Sequence, residues 1–194
     1  MMKIGVLALQ GAFIEHIQLL QTLDVAAEEV RLPEQLIDLD GLIIPGGEST
    51  TIGKLAVMYG LMEPLRDFAR TKAVWGTCAG MIFMAKEIGM DQPLLGIMDI
   101  VVERNAFGRQ VDSFETELAV AVLEDGIQRP FPAVFIRAPR LLAVKADAEV
   151  IATLKDGTAV AAQQNNWLVT SFHPELTGDP RFHQYFLKLV KGAK

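Results

Sequence analysis

The sequence predicts an α/β domain with a mixed sheet, parallel at its centre and extended by antiparallel strands. Two observations carry this. The first half alternates short apolar runs with amphipathic helical patterns, which gives parallel strands with helices on both faces. The second half is richer in strands, and Asp156-Gly157 between two of them is a hairpin signal.

The elements follow in order. Lys3–Leu9 is a short, partly β-branched apolar run that reads as a buried first strand. Phe13–Leu23 has helical spacing, with Ile14, Ile17, Leu20 and Leu23 expected on the inner face. Ala26–Val30 and Gly41–Ile44 read as strands, the latter ending at Pro45-Gly46-Gly47. Helices are expected over Thr51–Tyr59 and Met62–Arg70, then a strand over Ala73–Gly76 and a helix over Ala79–Glu87. Further strands are expected over Ile97–Val102, Glu117–Leu123, Ala133–Ile136, Val150–Leu154, Ala159–Gln164 and Trp167–Ser171, and a closing helix over Pro180–Val190. In such sheets ligands bind beyond the carboxyl ends of the strands.

Composition narrows the function. A chain of 194 residues with 51% hydrophobic and 22% charged residues suits one globular domain spanning 1–194. A net charge of −6 repels phosphate backbones and anionic membranes, so neither nucleic acid nor a membrane surface is expected as partner. No run approaches the roughly 20 apolar residues of a membrane span, and the start does not read as a secretory signal. The single cysteine rules out an intramolecular disulfide and Cys-rich zinc sites, and fits a reducing cytoplasm.

That cysteine stands in Gly76-Thr77-Cys78-Ala79-Gly80, between a predicted strand and a predicted helix. This is the nucleophile-elbow pattern with Cys in the Ser position. A sharp strand-to-helix turn crowds its own backbone, and glycines two before and two after relieve the clash. The thiol then sits at a helix N-terminus, where peptide dipoles favour the thiolate, and the Ala79 amide points to a developing oxyanion. The plainer reading is a buried core thiol. It leaves the glycine spacing unexplained.

Acyl transfer to sulfur needs a proton carrier, and the chain has three histidines, His16, His173 and His183. His173 lies in Ser171-Phe172-His173-Pro174-Glu175, at the end of a strand, and Glu175 can fix its tautomer. Alone it would read as a solvated loop histidine; beside the elbow it reads as the partner of Cys78. His183 falls in the last helix as a surface or packing residue. His16 has no evident partner in sequence, and is read as structural or at an interface.

Pro45-Gly46-Gly47-Glu48-Ser49-Thr50-Thr51 is not a phosphate loop: five residues separate Gly47 from Gly53, and Leu55 follows Lys54 where a hydroxyl residue is needed. A glycine pair at a strand end can instead form an anion-stabilising nest. Its other reading, a loop ending at a helix N-cap on Ser49 or Thr50, is compatible. Arg104 to Gln110 and Ile136-Arg137-Ala138-Pro139 place arginines at strand ends, which suits forked recognition of a carboxylate. Surface pairing is the plainer reading for any one arginine, and the preferred one for Arg109 and Arg140.

Gly76–Gly80 with a distant His-x-Glu resembles the class I, triad-type glutamine amidotransferases. Five blocks sharpen this: Leu9-Gln10-Gly11 with Glu15-His16, Pro45–Thr51, Val101–Glu115, Val134–Pro139 and Ser171–Leu176. Together they resemble, over nearly the whole chain, the branch of glutaminase subunits that serve pyridoxal 5′-phosphate synthase. The elbow and His-x-Glu identify only the superfamily, and 88–98 and 141–158 are undiagnostic.

The resemblance implies a flavodoxin-like three-layer fold. It implies Cys78 as nucleophile, His173 as acid and base, and Glu175 as orienter. It implies an oxyanion hole from the Gly47 and Ala79 amides, and a glutamine site drawing on Gln10, Gly47, Glu48, Ser49, Arg104, Ile136 and Arg137. L-glutamine would be hydrolysed through a γ-glutamyl thioester, without metal or organic cofactor, and the ammonia passed to a synthase subunit in a hetero-oligomer. The rivals are a glutaminase subunit of another amidotransferase, such as that of imidazole glycerol phosphate synthesis, a cysteine hydrolase of the DJ-1/PfpI type, and an inactive binding module. The 104–110 block, the His-x-Glu ending and the intact Cys, His and Glu argue against them in turn.

Overall fold

The computed structural model describes residues 2–104 and 113–193. The chain runs β1 (Lys3–Leu7), α1 (Phe13–Thr22), β2 (Ala26–Val30), β3 (Gly41–Ile44), α2 (Ser49–Met58), α3 (Met62–Ala69), β4 (Ala73–Thr77), α4 (Ala79–Met84) and β5 (Ala85–Glu87). It continues with β6 (Met98–Glu103), β7 (Ser113–Leu118), β8 (Phe131–Ile136), β9 (Arg140–Val144), β10 (Glu149–Thr153), β11 (Ala159–Gln164), β12 (Trp167–Thr170) and α5 (Arg181–Gly192).

Among the described residues the main sheet has the order β2-β1-β3-β4-β12-β11-β9-β6-β5, with β10 paired to β11. The first five strands are parallel, in the flavodoxin-like doubly wound order. Beyond β12 the pairings with β11, β9 and β6 are antiparallel, so the predicted extension is present. β10 and β11 form the hairpin expected around Asp156-Gly157. β7 and β8 make a separate two-stranded sheet.

Alternation along the central strands sorts side chains into two apolar layers. Leu42, Ile44, Val74 and Val169 face the layer under α2, α3 and α4. Ile4, Ile43, Trp75 and Leu168 face the layer under α1, α5 and the β7–β8 ribbon. A period of two on strands buried on both faces produces this three-layer arrangement. Among the described residues no helix is long and apolar enough to cross a membrane.

Four expectations need correction. The helix after the elbow ends at Met84 rather than Glu87, because Ala85 turns extended and pairs with Met98. The freed carbonyls of Phe83 and Met84 accept from the Leu95 and Ile97 amides. The strand placed at Glu117–Leu123 lies earlier, at Ser113–Leu118, and 119–123 turns through bonds between Val120, Leu123 and Gly126. β9 was not anticipated. On α1 the inward face is His16, Leu19 and Leu20, while Ile14 is exposed.

Candidate active site

Loops after β1, β3, β4 and β12 converge at the carboxyl rim of the parallel sheet, flanking the point where strand order reverses. There they line a cavity of about 350 Å³. Cys78 sits at its floor with φ 49° and ψ −104°, a conformation that costs a non-glycine residue energy and is held by its surroundings. Its amide donates to the Thr170 carbonyl at 2.8 Å, tying the elbow to β12. The flanking glycines act as predicted: a Cβ on Gly76 would come within 2.6 Å of the Gly80 backbone, and one on Gly80 would strike the Ile44 carbonyl. The following helix has only six residues, so its dipole gives less support than a long helix would.

The positive partner comes instead from His173. It follows β12, with its amide bonded to the Val134 carbonyl at 2.8 Å. Pro174–Leu176 forms a single 3-10 turn that folds Glu175 back beneath the ring, so Nδ1 and Oε1 are 2.7 Å apart. Burial opposes a charge on His173, but interaction with the neighbouring Cys78 and the hydrogen bond and charge of Glu175 push its pKa up to about 10. Glu175 is wholly buried at its side chain. Burial alone would raise its pKa; the neighbouring His16 and His173 rings hold it below the usual carboxylate range. The set of sulfur, protonated imidazole and buried carboxylate is the constellation for nucleophilic acyl transfer.

The predicted binding residues Gln10, Gly47, Glu48, Ser49, Arg104, Ile136 and Arg137 all line the cavity, as does Ala79. Several are engaged with one another. Gln10 Oε1 accepts from the Glu48 amide at 2.6 Å, joining the loops after β1 and β3. Glu48, rather than Ser49 or Thr50, caps α2, accepting from the Thr50 and Thr51 amides at 3.1 and 2.8 Å. Arg104 bonds Glu48 at 3.0 Å, Thr50 at 3.0 Å and Gln92 at 2.9 Å. The Ile136 carbonyl faces the Cys78 sulfur at 3.9 Å, and Arg137 holds a positive φ of 43°. Arg109 and the remainder of 105–112 lie outside the described residues. Arg140 lies on β9 in register with Glu103.

Three participants were missed. Gly46 approaches the triad so closely that a Cβ there would strike His173 Cε1. Gln92, in a stretch read as undiagnostic, braces Thr50 and Arg104. His16 is fully buried, which removes the interface reading. It bridges His183 and Glu175, Nδ1 lying 2.9 Å from His183 Nε2 and Nε2 lying 3.4 Å from Glu175 Oε2. His183 is a buried packing residue on α5. Only the Glu15-His16 pair in sequence hinted at any of this.

A doubly wound sheet carrying Cys, His and Glu at its carboxyl rim defines a thiol-dependent acyl-transfer protein of the triad amidotransferase class. The model of the SNO glutamine amidotransferase family matches residues 6–192. The chain belongs to that family. It is 60% identical over 193 residues to the pyridoxal 5′-phosphate synthase subunit PdxT of Herpetosiphon aurantiacus, covering 97% of this chain and 100% of the relative. It is 59% identical to the PdxT of Dehalococcoides mccartyi, covering 100% of both. A crystal structure titled as a glutamine amidotransferase superposes with a TM-score of 0.91 at 50% identity, over 97% of this chain and 98% of the other. PurLQS from Thermotoga maritima shares the fold, with a TM-score of 0.74 at 16% identity over 97% of this chain and 99% of the other.

Proposed function

We propose that this chain is the glutaminase subunit of a pyridoxal 5′-phosphate synthase, acting as one domain over 1–194. It hydrolyses L-glutamine to glutamate and passes the ammonia to a synthase subunit. The observation that carries the reading is the convergence of Cys78, His173 and Glu175 on one cavity in a chain so close to the PdxT relatives.

Cys78 attacks the side-chain carboxamide carbon of glutamine. The Gly47 and Ala79 amides receive the oxyanion. His173 gives its proton to the leaving nitrogen, and ammonia departs as the γ-glutamyl thioester forms. His173 then takes a proton from water, the hydroxide adds to the thioester, and collapse releases glutamate and restores the thiolate–imidazolium pair. Glu175 keeps the imidazole in one tautomer throughout. Gln10, Glu48, Ser49, Arg104, Ile136 and Arg137 shape the glutamine pocket. Ammonia is a nucleophile only while unprotonated, which requires a dry route into the partner and hence a hetero-oligomer. A single cysteine that must remain a thiol fits a reducing cytoplasm.

The test is glutamate release from L-glutamine, with and without the synthase subunit, with Cys78→Ala as control. The expected result is turnover that needs the thiol and rises with the partner. No glutamate in the complete complex overturns the assignment, and unchanged turnover in Cys78→Ala overturns the mechanism. Activation only by a different synthase moves the chain to another pathway.

A further inference from the structure

Beneath the triad lies a buried line of groups that the mechanism above does not use. It runs from His183 on α5, through His16 on α1, to Glu175 in the turn after β12. We propose that His16, with its tautomer set by His183, is a positioning residue that hydrogen-bonds Glu175 Oε2 and so fixes the carboxylate orienting His173. The proposal rests on the glutaminase reading for its kinetic consequence.

Glu175 has two oxygens to satisfy in a fully buried position. Oε1 takes the His173 ring. Oε2 has no partner in ordinary hydrogen-bond geometry among the described residues, and His16 Nε2 stands 3.4 Å from it. At that distance a turn of the His16 ring, which now meets hydrogen-bond geometry with Thr77, brings its N–H onto the carboxylate. The competing acceptor for the same N–H is Thr77 Oγ1, also at 3.4 Å. A neutral hydroxyl attracts the donor less than a carboxylate does.

Proton bookkeeping gives the line one polarity. If His16 Nε2 donates to Glu175, its Nδ1 is bare and must accept, so His183 Nε2 carries the hydrogen between the rings. His183 Nδ1 is then a lone pair, and among the described residues it is one of two buried ring nitrogens left without a partner, the other being Trp75 Nε1. The opposite polarity lets the His16 Nε2 lone pair accept from the Thr77 hydroxyl, but it leaves Glu175 Oε2 without a donor and turns the orphaned His183 Nδ1 into a buried unpaired donor. Buried donors are rarely left so.

Burial favours the neutral form of both rings. Burial lowers the pKa of His16 and lowers that of His183 further. The charges acting on His16 are Glu175 and Glu15, which favour protonation, and His173, which opposes it. Thr77 and Trp75 face it from β4 without charge. A neutral donor holds Glu175 without cancelling its charge, so the carboxylate is left for His173.

His16→Leu and His16→Gln test the kinetics in the complex with the synthase subunit; glutamine keeps an N–H that reaches Glu175. His16→Leu is expected to lower kcat about 10–100-fold, by analogy with loss of an outer partner at metal-binding sites, with KM nearly unchanged. His16→Gln is expected to recover most of that loss at a similar melting temperature. The full chain has three histidines, so ¹⁵N-histidine NMR reads each ring without crowding. His16 and His183 should both appear as neutral Nε2–H tautomers from pH 6 to 8. An Nδ1–H tautomer at either ring, titration within that range, or His16→Gln no better than His16→Leu overturns the proposal. So does a folded His16→Leu with wild-type kcat. A wild-type complex that releases no glutamate sinks the glutaminase reading instead, while the nitrogen spectra still decide the hydrogen-bond line.

Discussion

The sulfur side of the cavity and the wall facing it are held by different means. Cys78, His173 and Glu175 are each 7% exposed. Backbone bonds tie the first to Thr170 on β12 of the main sheet and the second to Val134 on β8 of the small ribbon. Across the cavity the Glu48 and Arg104 side chains are 48% and 22% exposed; Arg104 is held by Glu48, Thr50 and Gln92, and Glu48 by Arg104 and by Thr50 and Thr51 at the start of α2. Backbone bonds on a sheet rim fix position. Side-chain pairs at a half-exposed wall can exchange one partner for another, and a guanidinium paired with one carboxylate can take a second from a substrate. On the proposed function, chemistry falls to the rigid side and recognition to the adaptable one.

The largest expected effect comes from breaking the rigid side. Glu175→Gln can present an N–H to His173 Nδ1 and force the other tautomer, removing the base from the sulfur. A fall in kcat of about 10³–10⁴ is expected, the cost of the corresponding change in the serine triad, with KM little altered. A fall under tenfold in steady-state assays would show that the carboxylate does not set the tautomer. A smaller effect is expected on the adaptable wall. Arg104→Met should raise KM for glutamine roughly tenfold, about 1.4 kcal/mol of lost binding, with kcat within a few-fold. Equal falls in kcat and kcat/KM would place Arg104 in transition-state stabilisation and erase the division between the two sides.

The rigid side was also the legible one. Gly76–Gly80 and His173–Glu175 are short local patterns that show in the sequence although long-range bonds hold them, and parallel strands buried on both faces read as plain apolar runs. Long-range side-chain pairing leaves no such trace. His16 meets its partner His183 across 167 residues, and the neighbouring Glu15 does not say which residue that partner is. Gln92 sits in a segment without periodicity, yet accepts from Thr50 and Arg104 on the cavity side. β9 was missed because its RLLAV run exposes Leu142 and pairs outward, blurring the alternation. The shortened α4 was missed because its end is set by amides of Leu95 and Ile97, which arrive from a later loop.

Glu48 supplies the smallest and most local test of the adaptable wall, since it serves both Arg104 and the start of α2. Burial works against its charge, but hydrogen bonds from the Thr51 hydroxyl and from the Thr51 and Thr50 amides lower its pKa to about 2, from 4.5. A folded-state pKa below the unfolded one stabilises the protein above pH 4.5, and the contribution is lost as pH falls through about 2. Glu48→Gln keeps one acceptor for the cap and loses the charge, so a destabilisation of about 1 kcal/mol is expected at pH 7. For a chain of this size that lowers Tm by roughly 2–4 °C. The gap between wild type and variant should narrow in urea titrations at pH 4 and further at pH 3, because the wild-type carboxylate is losing an advantage that glutamine never had. A gap independent of pH would mean that Glu48 acts through shape and hydrogen-bond count alone, and that the wall's hold on Arg104 does not depend on its charge.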